Sequence, residues 1–554
     1  MNAAKILGTW LAAAPVLANA ATFQSTPVMG WNSYNAMGCT PNEQGIIDTI
    51  NALSSNGFVN AGYKFFQIDC GWAAHDLERN SSSGAIKIDY NQFPNGLEPL
   101  SDLVRSKGMK WSMYSDAGVR MCDPENPDRV LGSLGHERAD AELFKRLNTE
   151  YLKYDNCYID GAEPWRSSPK DPRSDYPQRF GTMWNELQRV GIPGFLVCQW
   201  GSPYSTDQGL KGPASWTKGI STSFRISDDI APGWHNVLRI YNQMIHIARS
   251  GAVGPHNIAD MDLLEVGNNA GMTFDEQATH FAMWAMFKSA LMISTDLKKI
   301  TFADIAILQN RGLIAINQDP LVQPVKLVQR WTWDRDVLAG NLANGDLAVL
   351  VVNQQSVRRD LKLDLSELGL AKADILNLWT GETQPGVSSY SQQVEGHGSL
   401  ALRLSNTVSS NNNLNYGWIT AESGRLESGA RQLPCHGCSS SNKVGYLGGD
   451  SNGSLTLDNI FTSRETQNVL FDYINCDVVY MNGGFHERLA SVSVNGGPPQ
   501  TISFPLSGYT WESDVYPSYP VQLSGFRTNG PNSITISGYE GNAAPDFVRV
   551  GVAA

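Results

Sequence analysis

YLKYDNCYID, residues 151–160, begins like a buried strand and then sets a lysine and an aspartate two residues apart. Side chains alternate along a strand, so Tyr151, Lys153 and Asp155 share one face while Tyr154 and Asn156 take the other. Burying an ammonium and a carboxylate in a packed core is costly. A strand face that carries both is therefore read as lining a cavity. Similar runs surround it: VMGWNSY (28–34), YKFFQID (63–69), KWSMYSD (110–116), GFLVCQW (194–200), SFRISDD (223–229), AVGPHNIADMD (252–262) and LMISTDL (291–297). Between them the apolar positions take a helical period. Ile46, Ile47, Ile50 and Leu53 are spaced for one helix, and DEQATHFAMWAMFKSALM (275–292) for another with an acidic first turn. Eight strand-then-helix units in roughly 270 residues predict an α/β fold, a (β/α)8 TIM barrel. A doubly wound open sheet is the alternative, but no glycine-rich phosphate loop supports it.

The runs end in polar residues: Asp69, Asp116, Asp155, Gln199, Asp229 and Asp262. The carboxyl ends of its strands are where such a barrel builds an active site. In SFRISDDI, alternation puts Arg225, Ser227 and Asp229 on one face and Asp228 on the other. Two carboxylates from separate strands facing one pocket are what glycoside hydrolysis needs, one to attack carbon and one to shuttle a proton. Structural ion pairs are the competing reading of the same residues.

The chain has 554 residues, too many for one core, and its 42% hydrophobic and 17% charged residues are those of a soluble globular protein. A net charge of −12 argues against a nucleic-acid or anionic-membrane partner. MNAAKILGTWLAAAPVLANA reads as a secretory signal peptide over residues 1–20, with Lys5, an apolar run and the small-x-small site Ala18-Asn19-Ala20. Secretion permits disulfides among Cys39, Cys70, Cys122, Cys157, Cys198, Cys435, Cys438 and Cys476. It also makes the sequons at Asn80 and Asn452 glycosylation candidates. The barrel is expected over 22–320 and an antiparallel β domain over 321–405, where period-two runs flank the hairpin signal Asn344-Gly345. A polar linker is expected over 406–415 and a β-sandwich over 416–554.

MGWNSYN (29–35), QIDCGW (67–72), YSDAG (114–118) with Cys122 eight residues after Tyr114, YLKYDNC, CQWG (198–201), RISDDI (225–230) and DMDLLEVGN (260–268) stand in a definite order. That order resembles glycoside hydrolase family 27, the α-galactosidase (melibiase) family, across about residues 22–405. The resemblance implies a secreted retaining exo-glycosidase releasing terminal α-galactosyl residues, with Asp155 as nucleophile and Asp229 as general acid/base. Asp229 then needs a raised pKa, while Asp155 stays ionised with Lys153 beside it. Lys153 and Arg225 are implied to hold sugar hydroxyls and the nucleophile, and Asp69 to grip the O4/O6 edge. Tyr34, Trp72 and Tyr114 shape the walls, Asp262 the floor, and Gln199 and Trp200, beside Cys198, fall where the family recognises the 2-position. By the same resemblance Cys122 pairs with Cys157 beside the site and Cys39 with Cys70, leaving Cys198 as a buried thiol.

Two departures stand out. Where many members read Asp-Asp-Cys-Trp, this chain reads Asp69-Cys70-Gly71-Trp72, so Cys70 replaces a second sugar-binding acid. β-L-Arabinopyranosidase, acting on a galactose-like sugar without C6, stays open. Gln199 stands where many members carry Glu; with Tyr204 it leaves little room for the N-acetyl group of an α-N-acetylgalactosaminidase substrate. A non-catalytic sugar-binding protein is the reading from another class.

WITAESGRLESGA (418–430), CHGCSSSNKVGYLGG (435–449), SVNGGPPQTISFP (493–505) and APDFVRVGV (544–552) resemble a family 35 carbohydrate-binding module. Cys435 and Cys438 suit a short-loop disulfide, with zinc as the rival reading. Glu422, Glu427 and Asp546 are candidate ligands of a structural calcium. Tyr446, Trp511 and Tyr516 are candidate stacking residues, and Cys476 a buried thiol. No cofactor is expected in catalysis. The expected partner is an oligosaccharide or polysaccharide, and the oligomeric state is open.

Overall fold

The computed structural model describes residues 23–159, 175–202, 204–206, 209–268, 271–410, 414–479 and 484–553. The expected signal peptide and the side chain of Tyr204 lie outside them.

Eight strands form one parallel sheet: β1 (Met29–Asn32), β2 (Phe65–Gln67), β3 (Lys110–Asp116), β4 (Tyr151–Asp155), β5 (Gly194–Val197), β6 (Ser223–Arg225), β7 (Ile258–Asp260) and β8 (Leu291–Ile293). They pair in sequence order, and β8 returns to β1. Between β7 and β8 the ring closes through a single bridge, Leu264 to Ile293, with Leu264 N donating to Met292 O at 2.8 Å. The strands are short and buried on both faces, which is why their sequences read as continuous apolar runs.

Helices wrap the sheet: α1 (Glu43–Ser55), α2 (Glu98–Ser106), α3 (Glu137–Arg146), α4 (Tyr176–Val190), α5 (Trp234–Ser250), α6 (Phe274–Met286), α7 (Phe302–Leu308) and α8 (Arg311–Asn317). In α1, Ile46, Ile50 and Leu53 are buried, while Asn42 caps the start by accepting from Gly45 N at 2.9 Å. A capping box of Thr273 and Glu276 opens α6. That helix stops at Met286, earlier than its periodicity suggests, because the chain turns left-handed at Lys288 (φ 61°) to enter β8. Among the described residues the β5–β6 crossover contains no α-helix, only a hairpin (Tyr204–Thr206 with Gly209–Lys211) and a 3-10 turn at Pro213–Ser215.

The β domain is a six-stranded antiparallel sheet beside a two-stranded one. Asn344-Gly345 turns its hairpin, with Gly345 at φ 88° and Asn341 paired to Leu347. Leu347–Asn353 packs Leu350 and Val352 toward the barrel core and Val349 and Val351 into the domain's own core. The last strand, Ser399–Ser409, pairs Ser409 with Leu370 and Val408 with Lys372. The sheet therefore takes in residues 406–409, which the polar composition had suggested as linker.

The C-terminal block is a two-sheet β-sandwich built from strands between Tyr416 and Ala553. Phe471, Tyr473, Phe504 and Phe547 meet edge-to-face between its sheets. It is docked on the rest of the chain. Asn242 of α5 donates to Phe485 O at 2.8 Å, Thr510 to Leu210 O at 2.9 Å, and Gln329 to Pro520 O at 3.0 Å.

Candidate active site

Asp155 ends β4. Its β3 neighbours stand in register, Tyr114 beside Lys153 and Asp116 beside Asp155, so these side chains rise at one end of the barrel. Tyr114 donates its hydroxyl to Asp155 Oδ2 at 3.1 Å, and Trp200 donates its indole N–H to Oδ1 at 2.7 Å. Trp200 reaches that position from a left-handed backbone (φ 64°), an uncommon conformation for so large a residue. Lys153 Nζ lies 2.8 Å from Asp69 Oδ2, which also accepts from Asn32 Nδ2 at 2.6 Å. Across the opening, Arg225 Nη2 is 2.6 Å from Asp229 Oδ1 and 2.9 Å from Asp262 Oδ2. Asp262 is also left-handed (φ 79°), which turns its carboxylate to accept from Ile230 N and Leu263 N, both at 2.7 Å.

These groups line one cavity of about 90 Å³. Tyr34, Asp69, Tyr114, Lys153 and Asp155 form one side. Trp200, Arg225, Asp229 and Asp262 form the other. Three expected pocket residues stand elsewhere. Cys70 is bonded to Cys39 and buried, so no thiol is offered to a ligand. Trp72 is wholly buried behind Tyr114, donating to its carbonyl at 3.0 Å. Gln199 is buried and folds back to donate to Ser202 O at 2.9 Å. Alternation along a strand cannot foresee these, because all three lie past the last paired residue, where the chain turns.

Other cavity residues escaped the sequence reading. Asn35, Pro124, Ile230 and Leu263, with Cys122 of the expected disulfide, complete the lining. Asn32 fixes Asp69 and was visible only as the polar end of the first run. Arg239 of α5 donates to Asp228, to Ser227 Oγ at 3.1 Å and to Asp229 O at 3.1 Å, so one buried guanidinium shapes the whole Ser227–Asp229 bend. That bend explains how Arg225 meets Asp229 although the strand ends at Arg225.

The electrostatics differ from what the resemblance implies. Burial pushes the Asp155 carboxyl up to about 6; Lys153 opposes the rise and Asp229 adds to it. For Asp229 burial also pushes upward, but Arg225 and Lys153 outweigh it and hold the carboxyl below its usual value. Its side chain is 66% exposed at the cavity mouth. In the sugar-free site a proton therefore prefers Asp155 to Asp229, the reverse of the expected order. The cause is the direct Arg225 contact. Asp116, by contrast, is fully buried and accepts from Gly118 N at 2.7 Å and Cys157 N at 3.0 Å; burial pushes it well above the carboxylate range.

Cys122 is bonded to Cys157 beside the cavity, and Cys435 to Cys438 in the sandwich. Cys198 is a buried thiol 3.5 Å from Arg225 Nη1, and Cys476 is likewise free. The three calcium candidates do not converge. Asp546 pairs with Lys443 at 2.7 Å, Glu427 with Arg425 at 3.2 Å, and Glu422 accepts from Gln432 at 3.3 Å. Among the described residues the three do not form a group close enough to share an ion. Among the described residues the acid clusters close enough for an ion each rely on a disulfide-bonded cysteine. Of the stacking candidates, Tyr446 is half-exposed with Arg431 over its ring, Trp511 is partly buried against Arg488, and Tyr516 is buried against Tyr473.

Comparison with known proteins agrees with this geometry. Residues 26–319 match the family model described as alpha galactosidase A, and residues 332–404 the alpha galactosidase C-terminal beta sandwich domain. Probable alpha-galactosidase D of Aspergillus niger is 36% identical over 391 residues, 69% of this chain. The chain spans 57% of that relative's length. Alpha-galactosidase I of Mortierella vinacea is 28% identical at a TM-score of 0.62, covering 71% of this chain and 100% of its own. Alpha-galactosidase of Saccharomyces cerevisiae, solved with raffinose, is 26% identical at a TM-score of 0.58, covering 68% and 97%. The first matched span takes in more than half of the sequence, the whole barrel with its pocket, and so this chain belongs to the alpha galactosidase A family.

Proposed function

We propose that the chain is a retaining exo-acting α-galactosidase that removes terminal α-D-galactosyl units from galacto-oligosaccharides and galactomannans. The observation that carries this reading is the convergence of Asp155 and Asp229 on one small cavity, with Lys153 and Arg225 between them. Asp155, oriented by Tyr114 and Trp200, attacks the anomeric carbon. Asp229 gives its proton to the departing oxygen, then takes one from the water that releases the sugar. Asp69, clamped by Lys153 and Asn32, holds sugar hydroxyls. Arg225 bridges Asp229 and Asp262, so a shift onto Asp262 or onto a sugar hydroxyl lets the proton move to Asp229. The two acids then titrate as a pair.

One observation favours a second reading on the same scaffold. Cys70 is locked in a disulfide where many relatives place an acid, which leaves the O6 end of galactose with one carboxylate, Asp69. This favours β-L-arabinopyranosidase. Hydrolysis of the p-nitrophenyl glycosides of α-D-galactose, β-L-arabinopyranose and α-N-acetylgalactosamine, side by side, decides. Dominant galactoside turnover upholds the first reading, dominant arabinopyranoside turnover replaces it with the second, and turnover of neither overturns both.

We also infer that the protein is secreted, in keeping with its disulfides. Asn80 and Asn452 are both exposed, as glycosylation requires. The C-terminal sandwich is read as a carbohydrate-binding module of the family 35 type.

A further inference from the structure

A second cavity, of about 180 Å³, opens where barrel, β domain and C-terminal sandwich meet. Helix α5 contributes Asn242, the β domain Trp333 and Gln354, and the sandwich Phe485 and Glu487. It shares no lining residue with the catalytic cavity.

Trp333 is the telling residue. Its backbone is left-handed (φ 58°) within the three-residue hairpin turn that joins Trp331 to Arg335. The turn presents the side chain outward, and Trp333 remains 53% exposed. Tyr539 of the sandwich steadies it edge-on, with ring centroids 5.7 Å apart at 68°. Phe485, 44% exposed, is the second open aromatic of the cavity. The polar groups below are fixed but not exhausted. Gln354 donates to Asp336 at 3.0 Å, and Glu487 Oε2 takes the hydroxyl of Ser503. No described residue hydrogen-bonds to Gln354 Oε1 or to Glu487 Oε1. Arg330 lies between Asp336 and Glu487, so the cavity has no surplus positive charge to attract an anion. Open aromatic rings beside fixed amide and carboxylate acceptors suit the ring CH faces and hydroxyls of a neutral sugar.

We propose that this junction is a second saccharide-binding site, which holds a neutral sugar unit of an oligo- or polysaccharide away from the catalytic cavity. The choice of saccharide rests on the functional reading above; the site itself rests on Trp333, Phe485, Gln354 and Glu487.

The test is isothermal titration of the full chain carrying Asp155→Asn, with raffinose and with galactose-substituted manno-oligosaccharides, while tryptophan fluorescence is followed. Two binding events are expected. Adding Trp333→Gly, which keeps the left-handed backbone without strain, should weaken one of them by roughly tenfold or more and abolish its fluorescence change. Phe485→Ala should weaken the same event, guarding against a local effect of the turn. In the otherwise native chain, Trp333→Gly should leave p-nitrophenyl galactoside hydrolysis unchanged and slow release of galactose from galactomannan. A single event, or two events insensitive to both substitutions, overturns the proposal. If no p-nitrophenyl glycoside is hydrolysed, the functional reading fails, and the titration still decides whether the junction binds sugar.

Discussion

Two clusters of charge touch α5, through Arg239 and Asn242, and they are organised on different terms. At the three-way junction Arg330 grips Asp336 through two bonds, 2.9 and 2.7 Å, and Tyr241 and Gln354 complete the same carboxylate at 2.6 and 3.0 Å. Arg330 also reaches Glu487 at 3.6 Å and Asn242 at 2.8 Å, so its charge is shared among fixed partners from all three domains. At the barrel mouth two cations, Lys153 and Arg225, face four carboxylates, Asp69, Asp155, Asp229 and Asp262. That surplus of negative charge would be a poor way to hold a fold together, since unbalanced buried charge destabilises. It suits a reaction that develops positive charge on a sugar ring. The junction cluster ties three domains together through one guanidinium; the mouth cluster faces an open cavity.

The comparison is broken most sharply by substitution. Asp155→Ala should reduce galactoside hydrolysis to background, and Asp229→Ala should lower it by roughly 10²–10⁴-fold, while circular dichroism and thermal melting show both variants folded. Full activity in either would show that the mouth is structural after all. At the junction the expected pattern inverts. Asp336→Ala strands Arg330 and should cost about 3–5 kcal/mol in denaturant unfolding, with kcat on small galactosides little changed in the protein that remains folded.

Asp155→Asn sharpens the contrast, because it should stabilise. A carboxyl whose folded-state pKa is raised supports folding while protonated and loses that support as pH climbs through the folded value, about 6. Removing the ionisable group should therefore gain up to about 3 kcal/mol at pH 7, and the gain should vanish by about pH 4. A variant no more stable than the parent at pH 7 would refute the claim that Asp155 carries unbalanced charge. The smallest effect is kinetic. The alkaline limb of kcat/KM should fall near pH 6, where the pair loses the one proton that must pass from Asp155 to Asp229. Lys153→Met, which removes the cation opposing protonation of Asp155, should move the limb upward by roughly one unit. A fixed limb would assign it to another group.

The barrel was legible because eight buried parallel strands leave eight apolar runs, each followed by a polar end. The inward placement of Asp155 was legible for the same reason: it lies within a paired strand, where alternation holds to the last residue. Past the strand ends that rule lapses. Trp200 and Asp262 turn into the cavity by left-handed backbones, Gln199 turns away, and Trp72 retreats behind Tyr114. The protonation order was illegible for a related reason, since it depends on one contact between Arg225 and a carboxylate in an irregular bend. Domain docking left no periodic trace either. The polar run at 407–415 suggested a tether, yet strand pairing takes up its first residues, and the sandwich is bonded to α5.

The single bridge that closes the barrel has a consequence for how the molecule breathes. Seven of the eight strand neighbours are laced by ladders, and the eighth seam hangs on Leu264 and Ile293. Asp262 sits in the short gap between the end of β7 and that bridge. When the sheet opens locally it opens first there, and the pocket floor goes with it. The amides around Leu264 should exchange with deuterated solvent sooner than those of β3 and β4, and a sugar touching Asp262 should slow them by bracing the ring across its own gap.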